Sequence, residues 1–527
     1  MARVTFEGKR YPLRDDETVL DALLRGGATV PFSCRRGSCH NCVLRATEGD
    51  PGEGAVRTLR ADMRARGYFL PCKSRPEGDL LVQRADLSEL FVRAMVAERA
   101  ELSERVVRLR LETETTMSWR AGQFVNLRRL DGLTRSYSAA SIPEEDYFLE
   151  LHVERMAGGA LSPWLCDELA VGDEVEIQGP HGDCFYPEEV EDRPILLVGT
   201  GTGLSPLVGI ARDALRAGHR APIELFHGAR DSGGLYDVEA LRQLAEAHPE
   251  LTYHPCVSGP DAPADVRTGR VVDLAFDTDR EGWLVFLCGS PEVVQAARVR
   301  AVGAGVRRAD IHADPFDDAR PFMPSDREKI EAIEADPELW EALRGGPGLT
   351  EILTDFYGRV YEDARLFPFF EKHSVTKERA IAKQYEFLSD LFAGERKFFG
   401  LRPFNAHHWM VISDELFDYR EALFDDCVRR YGLAPHLARR WAALHESFRR
   451  EIVKGAPRGL FLDGVEQELK DWEELVLSIG AVCDGCGAEM DVGETGRTHQ
   501  LTGQLFCSRC AARKVGASNF PSAPPVE

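Results

Sequence analysis

The sequence predicts a multidomain protein in which strand-rich domains come first, an α/β domain follows, and an all-α domain and a small metal-folded module close the chain. Three observations predict this. At 527 residues the chain is too long for one hydrophobic core, since a domain takes about 100–200 residues. Eight of its 13 cysteines fall in two groups of four, Cys34, Cys39, Cys42 and Cys72 near the start and Cys483, Cys486, Cys507 and Cys510 near the end. Strand signals run to about residue 318 and then give way to helical periodicity.

Composition narrows the function classes. A hydrophobic content of 43% and a charged content of 29% suit packed, water-soluble domains. A formal net charge of −22 argues against general nucleic-acid or membrane-surface binding. No apolar run reaches the roughly 18 residues of a membrane span. The opening "MARVTFEGKRYPL" alternates like a strand and lacks the apolar centre of a signal peptide, so a cytoplasmic protein is expected. Cysteines clustered in such a chain point to metal binding rather than disulfides.

Residues 1–88 begin with two strands and a helix near 18–26. "PFSCRRGSCHNC" then spaces cysteines as C-x4-C-x2-C, with Cys72 following after a gap of 29 residues. Four thiolates at this spacing are what a [2Fe–2S] cluster requires. The segment resembles plant-type ferredoxins, which implies a β-grasp fold with Cys34, Cys39, Cys42 and Cys72 as iron ligands.

In residues 89–190, "AGQFVNLR" and "RSYSAAS" precede "GALSPWLCDEL" and "VGDEVEIQGPHGDCF". Taken in this order they resemble the flavin domain of the ferredoxin–NADP reductase superfamily, an antiparallel β-barrel binding FAD. The resemblance implies that Arg135 pairs with a flavin phosphate, Tyr137 packs on the flavin and Ser138 reaches its redox-active edge. Gly159 and Ser162 open a short helix whose N-terminus suits pyrophosphate. In residues 191–318, "RPILLVGTGTGLSPLVGIARDAL" gives a strand, a glycine-rich turn and a helix, the geometry that cradles a dinucleotide. Gly199, Gly201, Thr202 and Gly203 form the turn, and "IELFHGAR" supplies a further strand with Arg230 near its end. The superfamily resemblance places Cys288 close to the nicotinamide and makes "IHADPF" the closing strand and aromatic. Arg230 either reads a 2′-phosphate or caps a surface, which leaves NAD(P)H as the donor with NADH slightly preferred. The order of these three domains resembles that of the reductases of aromatic-ring dioxygenases.

Residues 319–340 read as an acidic, proline-containing linker. From 341 to 480 the pattern is helical: Ile352, Phe356 and Val360 recur on one face, Ser413 can cap a helix closing at Gly432, and Pro435 opens another with Leu437, Trp441, Leu444 and Phe448 on its buried side. Gly345–Gly346, "FYGRV", "PFF" at 368–370 and the run from His407 through Met410, Ile412, Ser413 and Phe417 resemble the truncated haemoglobins. From His408 the apolar positions fall out of register. The resemblance implies haem b with His407 as the proximal ligand, Tyr357 and Gln384 facing bound gas, Ala380 one turn before Gln384, and Phe370 against the macrocycle. Without C-x-x-C-H no covalent haem is expected.

Residues 481–515 carry C-x2-C-x20-C-x2-C, the pattern of a four-thiolate zinc site in a zinc ribbon or treble clef. A rubredoxin-like iron site uses the same ligands, but the knuckles lack its proline and glycine pattern. Residues 516–527 read as a disordered tail. Chained together, the parts imply a route from NAD(P)H through FAD and the [2Fe–2S] centre to the haem, flavohaemoglobin-like in its logic. Nitric oxide dioxygenase activity, joining NO and O2 to nitrate, is the expected function. The rival readings are an oxygen or redox sensor, with a protein partner at the zinc module, and a reductase serving a separate oxygenase.

Overall fold

Strand Arg3–Phe6 turns back as Lys9–Pro12 through Glu7 (φ 50°) and Gly8 (φ 76°), the two left-handed residues of a tight hairpin. Thr18 caps helix Val19–Arg25 by accepting from the Asp21 N–H. That helix sinks Val19, Leu20 and Leu23 onto Val4, Phe6, Tyr68 and Phe69, and the sheet it covers has five strands. The computed structural model describes the whole chain apart from residues 1, 15–16, 33, 36, 188–189, 191, 261, 317–321, 372–374, 396–397, 399, 456, 463, 468–471, 478–479, 500–503 and 516–527. The expected disordered tail therefore lies outside the described residues.

The next six strands are antiparallel, and an isolated bridge between Ala139 and Leu151 joins the two ends of the sheet into a barrel. Alternation does the sorting: Val125 and Leu127 point into the barrel core, whereas Asn126 points out of it. Beyond it lies a six-stranded parallel sheet with Ile195–Thr200 between Ile223–Ala229 and Leu284–Gly289. Strand order reverses at Ile195–Thr200, which makes the carboxyl end of that strand the binding crevice of such a sheet.

The backbone falls into two compact units, Met1–Phe322 with Ala438–Arg449 and Met323–Leu437 with Arg450–Glu527. In the first unit, segment Ala438–Arg449 buries Trp441 and Phe448 and carries Glu446, which is 0% exposed. The Glu446 carboxylate accepts from Arg449 (2.5 Å), Arg308 (2.9 Å) and Arg298 (3.1 Å). Burial alone would raise its pKa, but the guanidinium groups of Arg449, Arg298 and Arg308 outweigh it and hold the carboxyl at about 2.

The second unit contains helices Pro347–Val360, Lys377–Ala393 and Asp414–Tyr431. Ser413 caps the last of these through the Leu416 N–H, and Gly432 closes it with φ 86°. Two expectations change. The segment 319–340, expected as linker, contains helix Asp326–Ala332 and the start of helix Pro337–Ala342. The all-α segment expected to run to 480 ends earlier: strand Trp472–Val476 pairs with Thr495–His499. The four-cysteine module has few apolar residues of its own, and Trp472 completes its core against Phe506, with ring centroids 5.6 Å apart. Among the described residues no helix is long and apolar enough to cross a membrane.

Glu446→Gln is expected to lower the thermal midpoint by removing about 3 kcal/mol, because three guanidinium groups lose their buried counter-charge. The sign of the pH effect follows from the depressed pKa. The contribution is fully present above the unfolded value of 4.5 and is lost as pH falls toward about 2. The difference between thermal melts of the two proteins should therefore shrink steadily from about pH 5 toward about pH 2.

Candidate functional site

The loop 34–42 leads into strand Leu44–Glu48. Its path needs left-handed backbone at Arg35, Gly37 and His40. A Cβ at Gly37 would fall 2.8 Å from Lys73 Cγ. The four cysteines gather as two pairs. The Cys34 N–H points at Cys39 Sγ (3.5 Å), the Cys39 N–H at Cys34 Sγ (3.4 Å), and Cys42 is in thiol contact with Cys72. Contact with Cys34 and burial push the Cys39 thiol up. Crowded, mostly buried thiols of this kind ionise when iron supplies the positive charge, so the residues fit a [2Fe–2S] cluster.

Strand Thr134–Ser138 carries Arg135, Tyr137 and Ser138. Arg135 is exposed and donates to the Thr134 carbonyl (2.8 Å), leaving guanidinium donors for a phosphate. Burial pushes the Tyr137 phenol up. The Ser138 hydroxyl donates to Asp314 (3.1 Å), and the Ser138 carbonyl accepts from Ser205 Oγ (3.0 Å). Helix Ser162–Asp167 begins where the Ser162 hydroxyl accepts from the Met156 N–H (3.1 Å), and a Cβ on Gly159 would fall 2.8 Å from that hydroxyl.

The turn after Ile195–Thr200 is shaped by close backbone approach. A Cβ on Gly203 would lie 2.4 Å from the Cys288 carbonyl oxygen, and one on Gly199 would lie 2.7 Å from Leu207 Cδ1. Gly201 is left-handed at φ 52°, and Thr202 lies in the same short turn. Helix Leu204–Arg216 follows without a side-chain cap, its Leu204 N–H bonded back to the Gly201–Thr202 turn, and a helix start in this position suits a pyrophosphate. Cys288 is buried with Sγ 3.9 Å from Cys184 Sγ, and burial holds it as a neutral thiol. Arg230 is exposed beyond the end of its strand.

In the helical unit Tyr357 is buried, with its hydroxyl 3.4 Å from Gln384 Oε1 and its ring centroid 5.9 Å from that of Phe370. Ala380 is buried on the helix that carries Gln384. His407 follows the short helix Pro403–Ala406, and its Nδ1 bonds the Pro403 carbonyl at 2.9 Å. That bond fixes the proton on Nδ1 and leaves the Nε2 lone pair for a metal. Burial lowers the His407 pKa to about 4, so the ring is neutral at pH 7, as a haem ligand must be. His408 shows the same local pattern, with Nδ1 on the Asn405 carbonyl (2.6 Å), a buried Nε2 without a partner and a pKa lowered by burial to about 4; the apolar register starting at His407 is what favours His407. Arg420 exerts its charge on both Tyr357 and His407.

Cys483, Cys486, Cys507 and Cys510 place their sulfurs within 4.8 Å of one another. Zinc–sulfur bonds of about 2.3 Å need sulfurs about 3.8 Å apart, so a small contraction around an ion suffices. Burial raises the Cys483 thiol, but the N–H groups of Cys507, Gly485 and Cys486 outweigh it and bring the group down to about 6. Contact with Cys486 and burial push Cys510 up to about 12. The second pair spans a strand end and the first turn of helix Ser508–Val515.

Sequence reasoning missed two groups. Asn126 is a fully buried amide inside "FVNLR", and a polar residue between apolar neighbours on a strand was its only signal. Lys454 and its neighbours line the His407 loop: Lys454 Nζ donates to the His407 carbonyl, the Lys454 N–H to the Ile412 carbonyl (2.9 Å) and the Arg458 N–H to the His408 carbonyl (2.9 Å). Asn405 exchanges side-chain bonds with the Phe461 backbone at 3.0 and 2.8 Å. Nothing local in the sequence marks that segment.

Four family models match in this order. Residues 4–77 match the 2Fe-2S iron-sulfur cluster binding domain, 93–186 the oxidoreductase FAD-binding domain, 197–299 the oxidoreductase NAD-binding domain and 338–448 the bacterial-like globin. The reductase subunit of an aromatic O-demethylase from an Amycolatopsis species is 39% identical over 308 residues, covering 56% of this chain and 92% of that protein. The phenol hydroxylase P5 protein of Acinetobacter pittii is 31% identical over 335 residues, 60% of this chain and 94% of that protein. Among solved structures, an Amycolatopsis cytochrome P450 reductase aligns with a TM-score of 0.44 and 35% identity over 61% of this chain and 100% of that one.

Gly203→Ala is expected to slow NADH-dependent ferricyanide reduction by about tenfold or more, because the added methyl must displace the Cys288 backbone and with it the nicotinamide crevice. Flavin content should stay at the wild-type level. Steady-state assays alongside flavin absorbance check both halves of this expectation.

Proposed function

This chain belongs to the family of NAD(P)H reductases that carry FAD and a [2Fe–2S] cluster, here fused to a globin, and from that premise we propose that it is a nitric oxide dioxygenase. Cys34, Cys39, Cys42 and Cys72 hold the cluster. Arg135, Tyr137, Ser138, Gly159 and Ser162 hold FAD, and Gly199, Gly201, Thr202, Gly203 and Cys288 form the NAD(P)H crevice. His407 holds haem b through Nε2, with Phe370 against the macrocycle. Bound haem supplies the site at which NO and O2 combine. The overall balance is 2 NO + 2 O2 + NAD(P)H giving 2 nitrate, NAD(P)+ and a proton. Each nitrate needs one electron, which is what a reductase fused one-to-one with a globin delivers.

The observation that carries this reading is the His407 ring, neutral and tied at Nδ1 to Pro403 with Nε2 left over, on the same chain as a complete reductase. The Tyr357–Gln384 pair supports it: a phenol O–H and an amide in a dry pocket can hydrogen-bond a partly negative oxygen. In a second reading the reductase serves a separate oxygenase, which is favoured by the Amycolatopsis relative, named as the reductase subunit of an aromatic O-demethylase.

The test is stopped-flow mixing of the NADH-reduced, aerated protein with NO, following haem absorbance and nitrate. Repeated cycles with one nitrate per NO are expected. Haem that oxidises once and stays oxidised, while NADH still reduces an external acceptor, would overturn the dioxygenase in favour of the second reading. His407→Ala is expected to abolish the haem absorbance and keep NADH:ferricyanide turnover. The four C-terminal cysteines hold zinc in this proposal. A strong chelator should then release one zinc ion per chain and expose the 472–515 segment to protease, which metal analysis and limited proteolysis read directly.

A further inference from the structure

The face between the cluster loop and the flavin barrel is closed by a row of polar side chains that the reductase chemistry described above does not use. Ser136, Asn126 and Gln178 stand opposite one another on three adjacent strands. Asn126 is 0% exposed. Its amide nitrogen donates to the Cys39 carbonyl at 2.7 Å and to Gln178 Oε1 at 2.9 Å, and its amide oxygen accepts from the Ser136 hydroxyl at 2.8 Å. Both amide N–H donors and the amide oxygen are thus engaged, and the orientation of the amide is fixed by its partners. Beside this row His40, two residues before Cys42, packs against His181 of the barrel with centroids 4.5 Å apart. A buried amide with any of these bonds missing leaves an unpaired polar group, so each bond contributes to holding the row together.

We infer that Asn126 is a positioning residue for electron transfer, the centre of a hydrogen-bonded bridge Ser136–Asn126–Cys39 that holds the backbone of a cluster ligand at a fixed distance from the flavin-binding strand. The inference rests on the proposed reading in which Arg135, Tyr137 and Ser138 hold the flavin and Cys39 binds iron. The strand Thr134–Ser138 contains both Ser136 and those three residues, so the bridge links the two cofactor sites by one side chain and its bonds. The step it serves moves one electron at a time. The flavin is oxidised by one unit and the cluster reduced by one, with NAD(P)H as the source and no bond made or broken between the two groups. Without the amide, the cluster loop keeps its covalent path and the His40–His181 contact but loses its direct tie to the barrel.

The experiment uses the full chain with Asn126→Leu, which keeps the branched heavy-atom shape and removes every polar bond, and with Ser136→Ala, which frees only the flavin-side end. Flavin and iron content are measured first, together with the electron paramagnetic resonance spectrum of the dithionite-reduced cluster. Anaerobic stopped-flow with NADH then follows flavin bleaching and cluster reduction as separate phases. In Asn126→Leu the cluster phase is expected to slow by about tenfold relative to the flavin phase, the factor that one to two lost buried hydrogen bonds carry in a docking equilibrium. Amide exchange of residues 34–42 should rise in parallel, and Ser136→Ala should show the same effects at smaller size. A general loss of stability would not change the ratio of two successive phases in one protein. Wild-type phases and exchange in Asn126→Leu would overturn the inference. If Asn126→Leu does not load the cluster, wild-type behaviour of Ser136→Ala overturns it instead. A wild-type protein whose flavin is reduced but never passes electrons to the cluster would sink the electron-route reading itself, an outcome distinct from either.

Discussion

A buried amide ties the cysteine-bearing loop 34–42 to the flavin barrel. The cluster loop, rich in left-handed backbone, carries Cys34, Cys39 and Cys42 and is held within its own domain by Arg35 on Asp21 and by the Thr58 hydroxyl on the Gly37 carbonyl. What fastens it to the barrel is Asn126, whose three hydrogen bonds reach two barrel strands and the Cys39 carbonyl. The strands behind that contact are rigid because Val125 and Leu127 are locked in the barrel core. Rigidity in the barrel, polarity at its outer face and a fixed cluster loop form one chain of cause. A constant separation of the loop from the barrel is what such an arrangement fixes.

The helical unit solves a related problem with other means. His407 sits at the end of a four-residue helix, a weak support by itself. Two additions make it firm. Asp326, from the segment expected to be linker, accepts from the Phe404 N–H at 2.9 Å and caps that helix from outside. The segment 454–461, beyond the residues matched by the globin model, bonds along the backbone of the same loop, from Asn405 to Ile412. The ring is therefore oriented by Pro403 and the backbone that carries it is held by Lys454. Both additions extend the matched globin, and both bear on the loop that carries His407.

Much of this was legible in the sequence because the signals are local. Cysteine spacing is a property of a loop, the G-T-G-T-G turn of a strand–helix junction, and the i, i+4, i+8 recurrence of Ile352, Phe356 and Val360 of one helix face. Ser413 and Gly432 bound their helix as their chemistry dictates. The strand Trp472–Val476 was hidden because "DWEELVL" is rich in charge and reads as helix, while the reason it is a strand lies in Phe506 and in the partner strand Thr495–His499.

By itself, then, the sequence determined which domains are present, their order and the residue types at each centre, since these depend on short-range spacing and side-chain chemistry. Tertiary structure alone decided three things: that Asn126 meets Cys39 across 87 positions of chain, that Glu446 meets Arg298 and Arg308, and that Lys454 bonds the His407 carbonyl. Each joins groups far apart in the chain whose partners are set by how whole elements pack. A buried polar group costs free energy wherever it is left unpaired. The fold therefore had to bring those partners together, but no local pattern could say which they would be.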